Sequence, residues 1–305
     1  MSRFFLGNDQ MSETVILYDL DALLKLPDGD VLDQAAVRAF PSGHVADVKR
    51  RENTVFGDAL LIGGDTTSLY SFEDGTLLWS TPNAGNNTHA AEILPSGNIV
   101  TINSTGNDIR LFRTSALLEG DAETAGTFVS YPFFCTHGVL WDPAYDCLWV
   151  LGGSELAAYR PVGEGVDQTL EVIPERRYAL ENFGTSDGHD LAPDLTDPRY
   201  LLITVANYAC RFDKEAETTV RTLPGDGLIP SIHLKSLSMD EAGNLFYTFA
   251  NRGIGRSWQN HRMASWLTDT IHVVVRNADG SAVLRKFSSD TAGFYKCRSC
   301  YGKYQ

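Results

Sequence analysis

Of the 305 residues, none belong to an apolar run approaching the about 18 residues that a membrane-spanning helix needs, and the opening MSRFFLGNDQ has no signal-peptide core. A protein that neither spans nor sits on a membrane, located in the cytoplasm, is therefore expected. Cysteine is scarce: five, an odd number, which fits reduced thiols better than a disulfide framework. Cys297-Arg-Ser-Cys300 has no second pair to complete a zinc site, so a structural role is expected for it. Positive charge is also short, with 25 Lys and Arg against 39 Asp and Glu, net −14. Such a surface repels nucleic acid at long range and offers no basic stripe. There is no nucleophile elbow, phosphate loop or dinucleotide fingerprint, so no nucleotide cofactor is expected. Helical periodicity is almost absent as well.

What is present is a repeat. His89 opens HAAEILPSGNIVTI, His137 opens HGVLWDPAYDCLWVL, His189 opens HDLAPDLTDPRYLLIT, and Lys235 opens KSLSMDEAGNLFYT. Anchor to anchor the spacings are 48, 52 and 46 residues, the size of a four-stranded propeller blade. Each copy runs from the anchor through a short apolar strand and a turn into an alternating strand, such as Ile99–Ile102 or Leu148–Leu151. A weaker copy spans 45–82. The N-terminus resembles the second and third strands of a blade, and Gly293–Arg298 supplies the missing first strand. The pattern predicts an all-β, six-bladed propeller in one domain, 1–305, whose first blade is closed by strands from both ends of the chain. Residues 251–270 form a long insertion in the sixth blade, expected to act as a lid carrying Trp258 and Trp266.

In a propeller the first strand of each blade lines the channel. His89, His137 and His189 are thus candidate ligands for a divalent metal, manganese, zinc or iron, with Glu92, Asp142 or Asp190 as acceptors for their second nitrogens. The alternative is that each histidine closes a turn on neighbouring backbone. Lys49, Arg50, Lys235, Lys296 and Arg298 also fall on predicted first strands, as a clamp for a carboxylate, sulfate or phosphate, or else as internal ion pairs. Alternation places Phe294, Lys296 and Arg298 on one face and Tyr295 on the other. The paired glycines Gly63-Gly64 and Gly152-Gly153 follow second strands, where turns are expected.

The segments Asp47–Arg51, Thr88–Glu92, Leu94–Asn98, His137–Val139, Trp141–Pro143, Gly188–Leu191, Lys235–Ser238, Trp266–Asp269 and Phe294–Arg298 together resemble an uncharacterised bacterial family of six-bladed propellers, a domain of unknown function. That resemblance implies the fold and the channel residues, and no activity. More loosely, the chain is similar in fold to propeller polysaccharide lyases such as oligogalacturonate and ulvan lyases, which use histidines, a metal and basic residues to eliminate across a uronic acid.

The expected function is action on an acidic oligosaccharide by β-elimination, with His137, His189 or Tyr295 as base. Lys49, Arg50, Lys235, Lys296, Arg298, Trp258 and Trp266 would bind the substrate, and His89, His137 and His189 a metal. The alternatives are a non-catalytic propeller holding a small anionic sugar or a peptide, and a histidine-ligated metal oxygenase. Nothing in the sequence names a protein partner.

Overall fold

A computed structural model describes residues 3–185, 187–205, 208–220, 227–229, 234–250, 257–258, 261–262 and 264–302. They form six four-stranded antiparallel sheets, a six-bladed β-propeller. The first sheet holds β1 (Phe4–Asp9), β2 (Thr14–Asp19) and β3 (Ala36–Pro41), with the chain's last long strand, Phe294–Ser299, paired to β1. The second is β4 (Val45–Thr54), β5 (Gly57–Gly64), β6 (Thr67–Ser71) and β7 (Leu77–Thr81). Then follow β8 (Thr88–Ile93), β9 (Ile99–Asn103), β10 (Asp108–Phe112) and β11 (Phe128–Pro132). The fourth sheet is β12 (Thr136–Asp142), β13 (Cys147–Gly152), β14 (Glu155–Val162) and β15 (Thr169–Ala179). The fifth is β16 (Asp190–Pro193), β17 (Tyr200–Thr204), β18 (Ala209–Asp213) and β19 (Thr218–Val220).

The sixth sheet is β20 (Leu234–Met239) and β21 (Leu245–Phe249), joined to β24 (Thr270–Arg276) and β25 (Ala282–Ser288). Between β21 and β24 runs a two-residue ribbon, β22 (Ser257–Trp258) with β23 (His261–Arg262). The last strand is β26 (Phe294–Ser299). The segment expected as a lid, 251–270, thus runs between β21 and β24, and most of 251–263, including the side chain of Trp258, lies outside the described residues.

The chain divides into two compact units. One holds residues 46–188 and 302–305, with the second to fourth sheets; the other holds 1–45 and 189–301. In the first unit, Trp141 joins Val139, Leu148 and Val150 in one apolar cluster, and Trp79 joins Leu61, Ile93 and Phe112 in another. In the other, Phe5, Tyr18, Phe246, Phe287 and Phe294 pack with Ile271 in an aromatic-rich core. Asp142, Asp194 and Asp240 cap their turns by accepting the backbone N–H of Ala144, Thr196 and Ala242. No helix is long and apolar enough to cross a membrane among the described residues.

Gly152 ends a strand rather than making a turn. A Cβ there would lie 2.5 Å from the carbonyl oxygen of Phe134. Gly63 is similar, with Ala91 N at 2.9 Å. These glycines let the neighbouring segment come close; they are not loop residues.

Candidate functional site

Three of the four repeated anchors, His89, His137 and Lys235, are β-bulges. Thr88 pairs with Asn103 and Ala90 with Ile102, leaving His89 as the extra residue. The same shift leaves His137 between Thr136 and Gly138, and Lys235 between Leu234 and Ser236. His189 directly precedes β16, and its N–H donates to Thr204 O at 2.8 Å. In the closing strand, two residues, Tyr295 and Lys296, face the single Asn8. A bulge re-aims a side chain at the end of a ladder and is common beside functional sites. Five first strands thus carry His, His, His, Lys and Tyr at one equivalent place.

In the unit of residues 46–188, the bulge is set up by backbone strain. Asn87, Cys135 and Asp187, each two residues before a histidine, have φ of 56°, 51° and 60°. The turn brings the carbonyls of Asn87 and Cys135 to 2.9 and 2.8 Å from the Nδ1 atoms of His89 and His137. A carbonyl only accepts, so Nδ1 carries the proton and Nε2 the lone pair. This is the turn-closing role, and it is also the tautomer that metal-bound histidines adopt. The two rings pack edge to face, centroids 4.5 Å apart. Cys135 Sγ lies 3.8 Å from His137 Nδ1, and burial, helped by Asp187, pushes its thiol pKa up. Among the described residues, no group of three or more His, Cys, Asp or Glu is placed to hold a metal ion. The expected second acceptors are engaged elsewhere: Asp142 takes Trp149 Nε1–H at 3.0 Å, and Glu92 and Asp190 hold cations.

Those cations form buried networks. Lys49 donates to the carbonyls of Ala91 on β8 and Val139 on β12, at 2.7 and 2.6 Å, and lies 3.5 Å from both Asp47 and Glu92. Arg51 makes a two-pronged pair with Glu92 at 2.9 and 2.7 Å. Glu92 also accepts Trp141 N–H. Burial works to raise the Glu92 pKa, but Arg51, Lys49 and these hydrogen bonds outweigh it and lower it. Arg50 points the other way along β4, to Asp58.

In the other unit, Asp190 holds both Lys296 (2.9 Å) and Arg298 (2.5 Å) and accepts Leu237 N–H at 3.0 Å. Here the bulge overturns simple alternation. Phe294 packs in the apolar cluster with Cys297, while Lys296 and Arg298 turn together to Asp190. Cys297 is fully buried and its thiol is pushed up to about 12 by burial, an inert structural cysteine. Lys235 is half-buried and Tyr295 buried at the starts of β20 and β26. Asn8, fully buried, has neither amide atom hydrogen-bonded among the described residues.

A family profile described as a family of unknown function (DUF6528) matches residues 46–233. The chain belongs to that family. No curated protein matches it. Among solved structures, a protein of unknown function from Bacteroides caccae is similar at 13% identity and TM-score 0.59, covering 98% of both chains. A functionally unknown protein from Desulfotomaculum acetoxidans shares 10% identity over 95% of this chain and 81% of that one, TM-score 0.54. A chain of a nidogen/laminin complex matches at 11% identity over 99% of each, TM-score 0.59. At such identities the likeness is one of fold, and the family carries no assigned activity.

One feature of the family member escaped the sequence reading: a cleft around His272 and Lys286. Its signal was a histidine within the apolar strand Thr270–Arg276, two residues from Thr270.

Proposed function

We propose that the unit built on β16, β20 and β26 binds a small acidic carbohydrate at the rim where His189, Lys235 and Tyr295 stand. The observation that supports it is the bulge, which sets Lys235 and Tyr295 at the place the histidines hold in other blades. Lys235 answers the carboxylate; the imidazole and phenol hydrogen-bond to hydroxyls. Trp266, 48% exposed and tied by Nε1–H to Gln10 at 3.1 Å, gives the sugar ring an aromatic face. Titration calorimetry with digalacturonate tests this: Lys235→Gln is expected to weaken binding about tenfold or more, the worth of one charge-assisted hydrogen bond. Unchanged affinity in that variant rejects the reading.

A second reading is β-elimination, favoured because two groups able to take a proton, His189 and Tyr295, occupy the rim positions on either side of Lys235. The base removes the proton next to the carboxylate, electrons form the C=C bond, and the β C–O bond breaks with the leaving oxygen protonated. Binding without turnover is favoured by the engagement of Lys296 and Arg298 with Asp190, since elimination needs strong neutralisation of the carboxylate. A new ultraviolet absorbance from the unsaturated product, lost in Tyr295→Phe or His189→Ala, distinguishes the two.

The metal expectation has its own test in the other unit. With the Nδ1 protons of His89 and His137 held by carbonyls, Nε2 would be the nitrogen of each to hold a metal. Metal retained by protein purified without chelators, and lost in His137→Ala, supports it; equal metal in both rejects it.

A further inference from the structure

A cleft of about 390 Å³ opens beside β24 and β25. Its floor is a cross-strand quartet: Thr270 opposite Ser288, and His272 opposite Lys286. Thr268, Phe249, Gly29 and Asp28 complete the wall. Thr268 exchanges backbone hydrogen bonds of 3.0 and 2.7 Å with Phe294, and Phe249 pairs with Leu234. The cleft therefore lies near Tyr295 and Lys235, but its own groups are different ones.

The group that calls for explanation is His272. It is 5% exposed, stacked on Tyr247 at 4.8 Å and packed against Phe249 at 4.9 Å, and its Nδ1 has no hydrogen-bond partner among the described residues. A buried polar atom left without a partner costs about 1–3 kcal/mol. A phenyl ring would stack as well without that cost, so a nitrogen retained here points to a role beyond packing. Around it, Thr270 Oγ1 donates to Asp269 Oδ1 at 2.7 Å and lies 2.9 Å from Ser288 Oγ, which then donates to it, so both oxygens keep lone pairs for a ligand's hydroxyls. Lys286 is exposed and supplies the positive charge, while the nearby carboxylate of Asp28 is taken by Arg285 at 2.6 Å. Phe249 offers an apolar wall.

We propose that this cleft binds a small polyhydroxylated anion, with Lys286 meeting the charge, Thr268, Thr270 and Ser288 meeting hydroxyls, and the His272 ring lining the floor. The chemistry suits sugar acids and sugar phosphates alike, and it stands whether or not the rim takes an acidic sugar.

The test is calorimetry on the full chain with gluconate, inorganic phosphate and glycerol, alongside the imidazole NMR signals of His272. Gluconate is expected to saturate and to shift the His272 signals. Glycerol, with hydroxyls but no charge, should bind at least about tenfold more weakly, as should gluconate to Lys286→Gln. His272→Phe keeps a ring on Tyr247, so a folded variant with weakened gluconate binding separates ligand contact from packing. The His272 signals separate the cleft from the rim, since gluconate bound only at Lys235 leaves them in place and overturns the proposal. No saturation by gluconate, equal affinity in Lys286→Gln, or phosphate binding as tightly as gluconate would also overturn it, the last by removing the hydroxyls' part.

Discussion

Glu92→Ala is expected to destabilise the protein by about 3–5 kcal/mol, a large share of the about 5–15 kcal/mol that holds a domain folded. The residue is fully buried and is the common partner of Arg51, Lys49 and the Trp141 N–H. Removing it takes the two-pronged partner from Arg51 and leaves Lys49 with Asp47, at 3.5 Å. The loss is mostly the penalty of stranded charge, not the net worth of the pair. Replacing the two-pronged pair together, Arg51→Leu with Glu92→Leu, leaves Lys49 and Asp47 facing each other at 3.5 Å and should cost far less than Glu92→Ala alone. Urea unfolding of the two variants measures the contrast; a double variant as unstable as the single one refutes the account. Because the Glu92 pKa is lowered on folding from its ordinary 4.5, its contribution is present above that value and lost as pH falls through the folded one.

The same network shows what the sequence could and could not carry. The sheets were legible because period-two alternation and turn residues are local signals, and the anchors His89, His137, His189 and Lys235 were placed at the starts of first strands by repeat spacing alone. The closing of the first blade by Phe294–Ser299 followed from the missing strand at the N-terminus. Partners were not legible. Lys296 and Asp190 are 106 residues apart, and no local pattern says that Asp190 turns to cations instead of a histidine. The face assignment failed at one bulge: the extra residue at Tyr295 inverts the alternation, so Phe294 joins the apolar core with Cys297 instead of sharing a face with Lys296 and Arg298. The histidines were correctly read as repeat anchors, but the left-handed residue two positions earlier, which holds the Nδ1 proton of His89 and His137, is a backbone property invisible in Asn87 and Cys135 as letters.

Between about pH 6.5 and pH 4, His272 alone is expected to remove about 3 kcal/mol of stability, from its pKa falling from 6.5 to about 4 on folding. Burial is the main cause; Lys286, directly across the strand pair, adds to it, and Asp269, before β24, opposes it. Tyr247 and Phe249, on β21, stack on the ring without charge at neutral pH. Above pH 6.5 the ring is neutral folded and unfolded, so it contributes no slope. As pH falls below 6.5 the unfolded chain takes up the proton and the folded one does not, which favours unfolding. Below about pH 4 both are protonated and the loss levels off. Carboxylates titrate in the lower part of this window, so the measurement is a difference: unfolding free energy against pH for the parent chain minus that for His272→Phe. The difference should open downward from pH 6.5 and flatten near pH 4. An anion bound in the cleft favours the protonated ring, so saturating gluconate should shrink the difference, whereas a cleft that binds nothing leaves it unchanged.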